Sequence, residues 1–137
     1  MELNDSLCWL YWQAGHGRHH GDVARGSGKA DWAERFQRRL SWALTGKIRA
    51  KPIEAVLGYS IADLRVHLER QFASGMSWET YAGNNRFGAP GTWVIDHIVP
   101  KRCFIERQIR DAFAISNLRP LCSKKNIRKN MQRTHLI

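Results

Sequence analysis

Residues 93–129 restrict the fold more than any other part of the chain. The apolar run that starts at Trp93 ends in Asp96-His97, and Pro100 lies just beyond it. A second short apolar segment covers residues 118–122, and Ser123 can cap a basic helix from Lys124 to about Gln132. This order predicts a strand, an antiparallel return strand and a helix packed on both.

The segments before this stretch indicate helices. Apolar residues recur every four positions from Trp32 to Ile48, which predicts an amphipathic helix from Asp31 to about Arg49. A short helix over residues 53–57 and a third starting at the Ser60-Ile61-Ala62-Asp63 capping signal follow, the third with an apolar face that reaches Phe72. The expected fold class is α+β, a small and mainly helical domain around a short two-stranded antiparallel hairpin.

The chain divides into an N-terminal region and one domain. Residues 1–30 contain an aromatic segment and then a Gly/His-rich loop with His16, His19 and His20. A metal site there is disfavoured, because the glycines leave the imidazoles without a framework, and a flexible arm near DNA is the better interpretation. Residues 31–137 are expected to form a single domain, with a basic helix (31–50), helical support (53–81) and a core unit (93–132).

The net charge of +10 is concentrated in two blocks. Residues 24–51 carry eight Lys and Arg against two acidic residues, and residues 101–137 carry ten against two. A basic chain of this size is typical of a nucleic-acid binder, because Lys and Arg neutralise phosphates. Binding to a membrane surface is the weaker alternative, since no basic segment has a wide aliphatic face.

The remaining composition suggests a cytoplasmic protein. No apolar run approaches the roughly 18 residues of a transmembrane helix. The first residues are acidic, unlike the start of a signal peptide. Cys8, Cys103 and Cys122 are odd in number and none forms a C-x-x-C pair, so reduced thiols are expected.

Asp96, His97, Asn117 and Asn126 supply the groups that phosphodiester cleavage needs. A carboxylate and an amide oxygen suit a hard divalent ion, and an open metal site stabilises charge on the phosphate and the leaving oxygen. An imidazole with an ordinary pKa near 6.5 can accept a proton from water. Because adjacent strand residues point to opposite faces, Asp96 and His97 can serve one site only where the strand bends or ends.

This set of residues resembles the ββα-metal motif of HNH endonucleases, in the variant that has Asn at the third position. The resemblance extends over roughly residues 56–130, and in this range the chain is similar to phage-encoded members of the family. It implies that His97 is the general base and that Asn117 fixes the loop and the orientation of His97. It also implies that Asp96 and Asn126 bind the metal.

The same resemblance and the basic helices predict the DNA contacts. Lys129, one turn after Asn126, shares its helix face and is expected to contact a phosphate. The other expected phosphate contacts are Arg119, Lys124, Lys125, Arg128, Arg38 and Arg39. Mg²⁺ or Mn²⁺ is the expected cofactor, with Zn²⁺ or Ni²⁺ as alternatives that Asn126 makes less favourable than a His would.

The expected function is metal-dependent DNA cleavage, by nicking or double-strand cutting. The alternatives are a homing-type, sequence-directed endonuclease and a non-catalytic DNA-binding protein on the same scaffold. An RNA-binding protein is a further alternative, disfavoured because the aromatic residues follow core periodicities. The resemblance implies a phage or bacterial host cytoplasm, a monomer or weak dimer, and a phage packaging or replication protein as a candidate partner.

Overall fold

The computed structural model describes the backbone of residues 31–83 and 89–135 and the side chains of residues 32–83 and 89–129. The aromatic segment and the Gly/His-rich loop predicted for residues 1–30 lie outside the described residues. Within the described ranges the helices are α1 (Asp31–Leu44), α2 (Lys51–Leu57), α3 (Ile61–Glu69), α4 (Ile109–Ala112) and α5 (Ser123–His135), and the strands are β1 (Trp93–His97) and β2 (Leu118–Cys122).

These elements form the small, mainly helical α+β fold that the sequence predicts. The strands pair as an antiparallel hairpin, and α5 packs against both of them. Short 3₁₀ turns cover Trp78–Thr80, Lys101–Cys103, Glu106–Gln108 and Ile115–Asn117. Over the described ranges, none of the helices is long and apolar enough to cross a membrane.

Helix α1 packs through the periodic face seen in the sequence, with Trp32, Phe36 and Leu40 buried. It ends at Leu44 and not near Arg49, which corrects the predicted boundary. The reason is Gly46, whose φ of 78° is a left-handed conformation that stops a helix. The segment after Gly46 carries its basic residues on an irregular connection to α2.

Helices α2 and α3 follow local signals. Pro52 lies in the first turn of α2, where a missing N–H removes no helical hydrogen bond, and Gly58 ends the helix at φ 83°. The Ser60 hydroxyl oxygen accepts a hydrogen bond from the Asp63 N–H at 3.0 Å and so caps α3. Helix α3 ends at Glu69, before Phe72, so the predicted apolar face is longer than the helix itself.

The hairpin register pairs Ile95 with Pro120, Asp96 with Arg119 and His97 with Leu118. Pro120 is tolerated because both strands of a two-stranded sheet are edge strands. Alternation places Trp93, Ile95 and His97 on one face of β1, and Trp93 and Ile95 belong to the main hydrophobic core. Asp96 is therefore on the opposite face, towards α5.

Aromatic packing supports the start of β1. The Trp93 ring is fully buried and lies 4.6 Å from the Tyr81 ring and 5.3 Å from the Trp78 ring, measured between centroids. Its indole N–H donates to the Ser77 carbonyl at 2.6 Å. Phe113 is likewise buried and meets Phe36 edge to face at 4.8 Å. These contacts hold β1 against the helices.

The cysteine prediction is only partly correct. Cys122 is free, but Cys103 is disulfide-bonded. Disulfide formation depends on Cα separation in the folded chain, which spacing along the sequence does not report.

Candidate active site at the end of the hairpin

The last two residues of β1, Asp96 and His97, are both buried, although an Asp side chain is almost never fully buried unless it is paired. Their side chains follow strand alternation: the Asp96 carboxylate meets α5, and the His97 ring meets Phe113 on the core side. Strand pairing ends here, where the Ile98 N–H donates to the Asn117 carbonyl at 2.9 Å. The two side chains thus share a strand end and not a strand face.

Asp96 is held by two cations from different elements. The Arg119 Nε donates to Oδ2 at 2.8 Å, and the Lys129 Nζ donates to Oδ1 at 2.9 Å and to Oδ2 at 2.8 Å. We call Asp96, Arg119 and Lys129 the Asp96 cluster. Because a buried carboxylate without partners is very costly, this cluster accounts for the burial of Asp96. The sequence predicts phosphate contacts for Arg119 and Lys129, whereas the structure places both side chains on Asp96.

The Lys129 ammonium also reaches the backbone of the neighbouring residue, donating to the His97 carbonyl oxygen at 3.0 Å. Three oxygen atoms from consecutive residues therefore surround one cationic nitrogen at the end of β1. Only 18% of the Lys129 side chain is exposed, so protein oxygens replace much of the water that a free ammonium would bind. We call this place beside Asp96, where protein oxygens surround the ammonium, the cation position.

The His97 imidazole is buried with an unused polar atom. Among the residues that the structure describes, its Nε2 has no hydrogen-bond partner, and its ring meets Phe113 edge to face at 4.7 Å between centroids. Burial lowers the pKa of His97 well below 6.5, and the positive charges of Lys101 and Lys129 lower it further. The imidazole is therefore neutral at physiological pH, the form in which a ring nitrogen can accept a proton.

Asn117 is almost completely buried and clamps the loop that follows His97. Its Oδ1 accepts from the Val99 N–H at 2.8 Å, and its Nδ2 donates to the carbonyl oxygens of Val99 at 3.1 Å and Ala112 at 2.9 Å. These bonds fix the chain two residues after His97 and tie it to the end of α4. These bonds hold the loop, while the orientation of His97 by Asn117 and a part in catalysis, which the resemblance implies, stay predictions.

Lys101 is a neighbour of the site that the sequence does not single out. Its Nζ pairs with the Glu34 Oε1 of α1 at 3.0 Å, and its charge acts on His97. The pair joins helix α1 to the loop after β1, and its two residues are 67 positions apart in the sequence. Lys101 follows Pro100 directly, and that position close to the Asp-His pair is the signal that could have identified it.

The remaining predicted residues lie on α5 and α1. Asn126 is half-buried on α5, one turn before Lys129, so the two residues share a face of that helix. The other predicted phosphate contacts are exposed: Lys124, Lys125, Arg128, Arg38 and Arg39. Lys124, Lys125 and Arg128 precede Lys129 on α5, whereas Arg38 and Arg39 lie on α1.

A hard divalent ion fits the chemistry of this cation position. The ammonium of Lys129 acts as a stand-in for such an ion, because it is held by carboxylate and carbonyl oxygens, the ligand types that Mg²⁺ and Mn²⁺ prefer. In the part of the chain that the structure describes, no three His, Cys, Asp or Glu side chains form a metal-binding group. A metal here would depend on Asp96, Asn126 and ligands from water or substrate.

Comparison of the chain with protein-family models, with curated proteins and with solved structures finds no match. The resemblance to HNH endonucleases therefore stands on the motif residues themselves.

Proposed function

We propose that this protein is a metal-dependent DNA endonuclease that hydrolyses phosphodiester bonds, by nicking or double-strand cleavage. One observation carries the proposal: an oxygen-lined cation position at Asp96 adjoins a buried, neutral His97 with an unused ring nitrogen. The order of Asp96, His97, Asn117 and Asn126, and the exposed cations of α5, support it further. The resemblance to HNH endonucleases supplies the reaction class.

In this proposal His97 is the general base. Its Nε2 accepts the proton of a water molecule as the water oxygen bonds to phosphorus, and the bond from phosphorus to the leaving 3′ oxygen breaks. A depressed pKa keeps the imidazole neutral and ready to accept that proton. Nε2 is buried here, so water reaches it only when a neighbouring group moves. Lys101 and Lys129 are the charged neighbours that act on it.

The other residues hold the reacting groups in place. Asp96 and Asn126 would hold a divalent ion, which when bound stabilises charge on the phosphate and on the leaving oxygen. Asn117 positions His97 through the loop at Val99. The exposed side chains of Lys124, Lys125 and Arg128 contact DNA phosphates without reading sequence.

A supercoiled-plasmid assay with Mg²⁺, Mn²⁺ or EDTA tests the proposal. We expect metal-dependent conversion to open-circle or linear DNA, and its loss in His97→Ala and His97→Gln. His67→Gln is the matched control, since the same substitution is made at a histidine with no part in the proposed reaction, whose ring hydrogen-bonds the Leu118 carbonyl oxygen at 2.8 Å. Cleavage that persists in both His97 variants would exclude His97 as the base.

The alternative is a DNA-binding protein that does not cleave. The pairing of Asp96 with two cations favours it, because such a cluster can be a purely structural ion pair. DNA binding without strand scission in any of the three conditions would establish this alternative. Action in a phage or host cytoplasm, with a packaging or replication protein as partner, remains part of the leading proposal.

A further inference from the structure

Lys129 makes an unusual set of contacts for a lysine on a basic helix. Its ammonium donates to both oxygens of one carboxylate and to a backbone carbonyl, all within 3.0 Å. Arg119 contacts only Oδ2 of the same carboxylate, and 38% of its side chain is exposed. Lys129 therefore occupies the centre of the cation position, and Arg119 lies at its edge.

The charges in the Asp96 cluster do not favour an additional cation. One carboxylate already faces two cationic side chains, and Lys101 adds a third positive charge near His97. A divalent ion would need the Asp96 lone pairs that Lys129 uses and would repel the ammonium at close range. Asp96 is fixed in a paired strand, whereas Lys129 has a flexible side chain with several rotatable bonds. Lys129 is the group that can leave.

We propose that Lys129 is a tethered cation that holds the metal position at Asp96 until a divalent ion displaces it. This inference rests on the proposed function, because it assumes that Asp96 is a metal ligand. The ion and the ammonium exclude each other. The apparent affinity for the metal is therefore the intrinsic affinity multiplied by the fraction of time in which Lys129 does not occupy Asp96. Once displaced, its ammonium is released beside the site, where a DNA phosphate can bind it.

This exclusion has a consequence for DNA binding. A phosphate that binds the released ammonium removes Lys129 from Asp96, so DNA and metal strengthen each other's binding by linkage. The protein would then bind the ion tightly only together with its substrate. In the absence of DNA, the carboxylate stays neutralised by the chain's own lysine.

The test is titration of the full-length protein with MnCl₂, without DNA, followed by calorimetry and by the electron paramagnetic resonance signal of free Mn²⁺. Lys129→Met keeps the aliphatic stem and removes the charge, and Lys129→Ala is a second variant. We expect both to bind Mn²⁺ at least about tenfold more tightly than the native chain, equal to about 1.4 kcal/mol. Circular dichroism confirms that each variant is folded.

Three further variants separate displacement from a general charge effect. Arg128→Ala removes one positive charge from the neighbouring exposed position of α5, and we expect it to change Mn²⁺ affinity by less than about twofold. Asp96→Asn removes the carboxylate, and we expect it to abolish the site. Arg119→Ala should have an effect between those of Arg128→Ala and Lys129→Met, because Arg119 uses one oxygen only.

The outcomes distinguish this inference from the proposed function. If Mn²⁺ binding depends on Asp96 but Lys129→Met and Arg128→Ala have equal Mn²⁺ affinities, the proposed displacement of Lys129 is wrong and the proposed metal site is retained. A lack of Mn²⁺ binding to the native chain and to both Lys129 variants overturns the metal centre and, with it, this inference. Tighter binding in the Lys129 variants but not in Arg128→Ala, lost with Asp96→Asn, supports both.

Discussion

The Asn117 clamp gives the most specific prediction about stability. In Asn117→Asp the side chain keeps its shape, and one oxygen can still accept from the Val99 N–H, which lies 2.8 Å from Oδ1 in the native protein. The two hydrogen bonds that Nδ2 donates, to Val99 and Ala112, are lost. A carboxylate then faces two buried carbonyl oxygens at a position that is 1% exposed.

The magnitude follows from these contacts. Each buried carbonyl left without a donor costs about 1–3 kcal/mol. Two such groups give a loss of about 2–6 kcal/mol in the free energy of unfolding near pH 7, before any cost of the buried charge. The cost of burying that charge raises the pKa of the new carboxyl group above its ordinary value, because burial favours the neutral form, which can also donate one hydrogen bond. Stability should therefore fall as pH rises through the raised pKa.

Urea unfolding of Asn117→Asp at pH values from about 4 to about 7.5, compared with the native chain, measures both effects. Asn126→Asp is the matched control, since it makes the same chemical change at a half-buried helical position; we expect it to alter stability by no more than about 0.5 kcal/mol. If Asn117→Asp unfolds like the native chain at pH 7, the Asn117 amide does not clamp the loop as described.

Three further predictions concern pH, backbone and DNA. Because burial lowers the pKa of His97, the unfolded chain binds a proton below about pH 6.5 that the folded chain does not bind, so the free energy of unfolding should fall as the pH drops below that value. In urea unfolding at several pH values, His97→Gln should reduce this dependence of stability on pH. Gly46→Ala should destabilise by about 1–2 kcal/mol in thermal unfolding, because φ is 78° and no atom of the described residues lies within 4 Å to crowd or support the new Cβ. Lys125→Ala should reduce the slope of log K against log salt for duplex DNA by about 0.9, and an unchanged slope would remove Lys125 from the phosphate contacts.

Local features of the chain could be read from the sequence because a few neighbouring residues decide them. The helix cap at Ser60, the end of α2 at Gly58 and the bounds of β2 depend on hydrogen bonds and backbone preferences within one turn or strand. The end of α1 was also encoded locally. Gly46 supplied the signal, and the longer apolar periodicity concealed it.

The contacts of the candidate site could be predicted only in part. The positions of Asp96, His97 and Asn117 along the hairpin follow from the order of strand, connection and return strand. The Asn117 hydrogen bonds hold the loop at Val99 and the end of α4, and the orientation of His97 by Asn117 stays a prediction. Its catalytic role, and metal binding by Asp96 and Asn126, stay predictions that the cleavage and Mn²⁺ experiments decide.

The sequence by itself determined the order of the polar residues along the two strands and the last helix, and tertiary packing decided which of them meet. Whether Lys129 faces a phosphate or Asp96 depends on how α5 crosses the two strands, and the pair is separated by 32 intervening residues. The ion pair of Glu34 with Lys101 and the buried, unpartnered Nε2 of His97 likewise arise from packing of distant elements. Such pairings depend on separations of about 3 Å in the folded chain, and residue order along the sequence does not carry them.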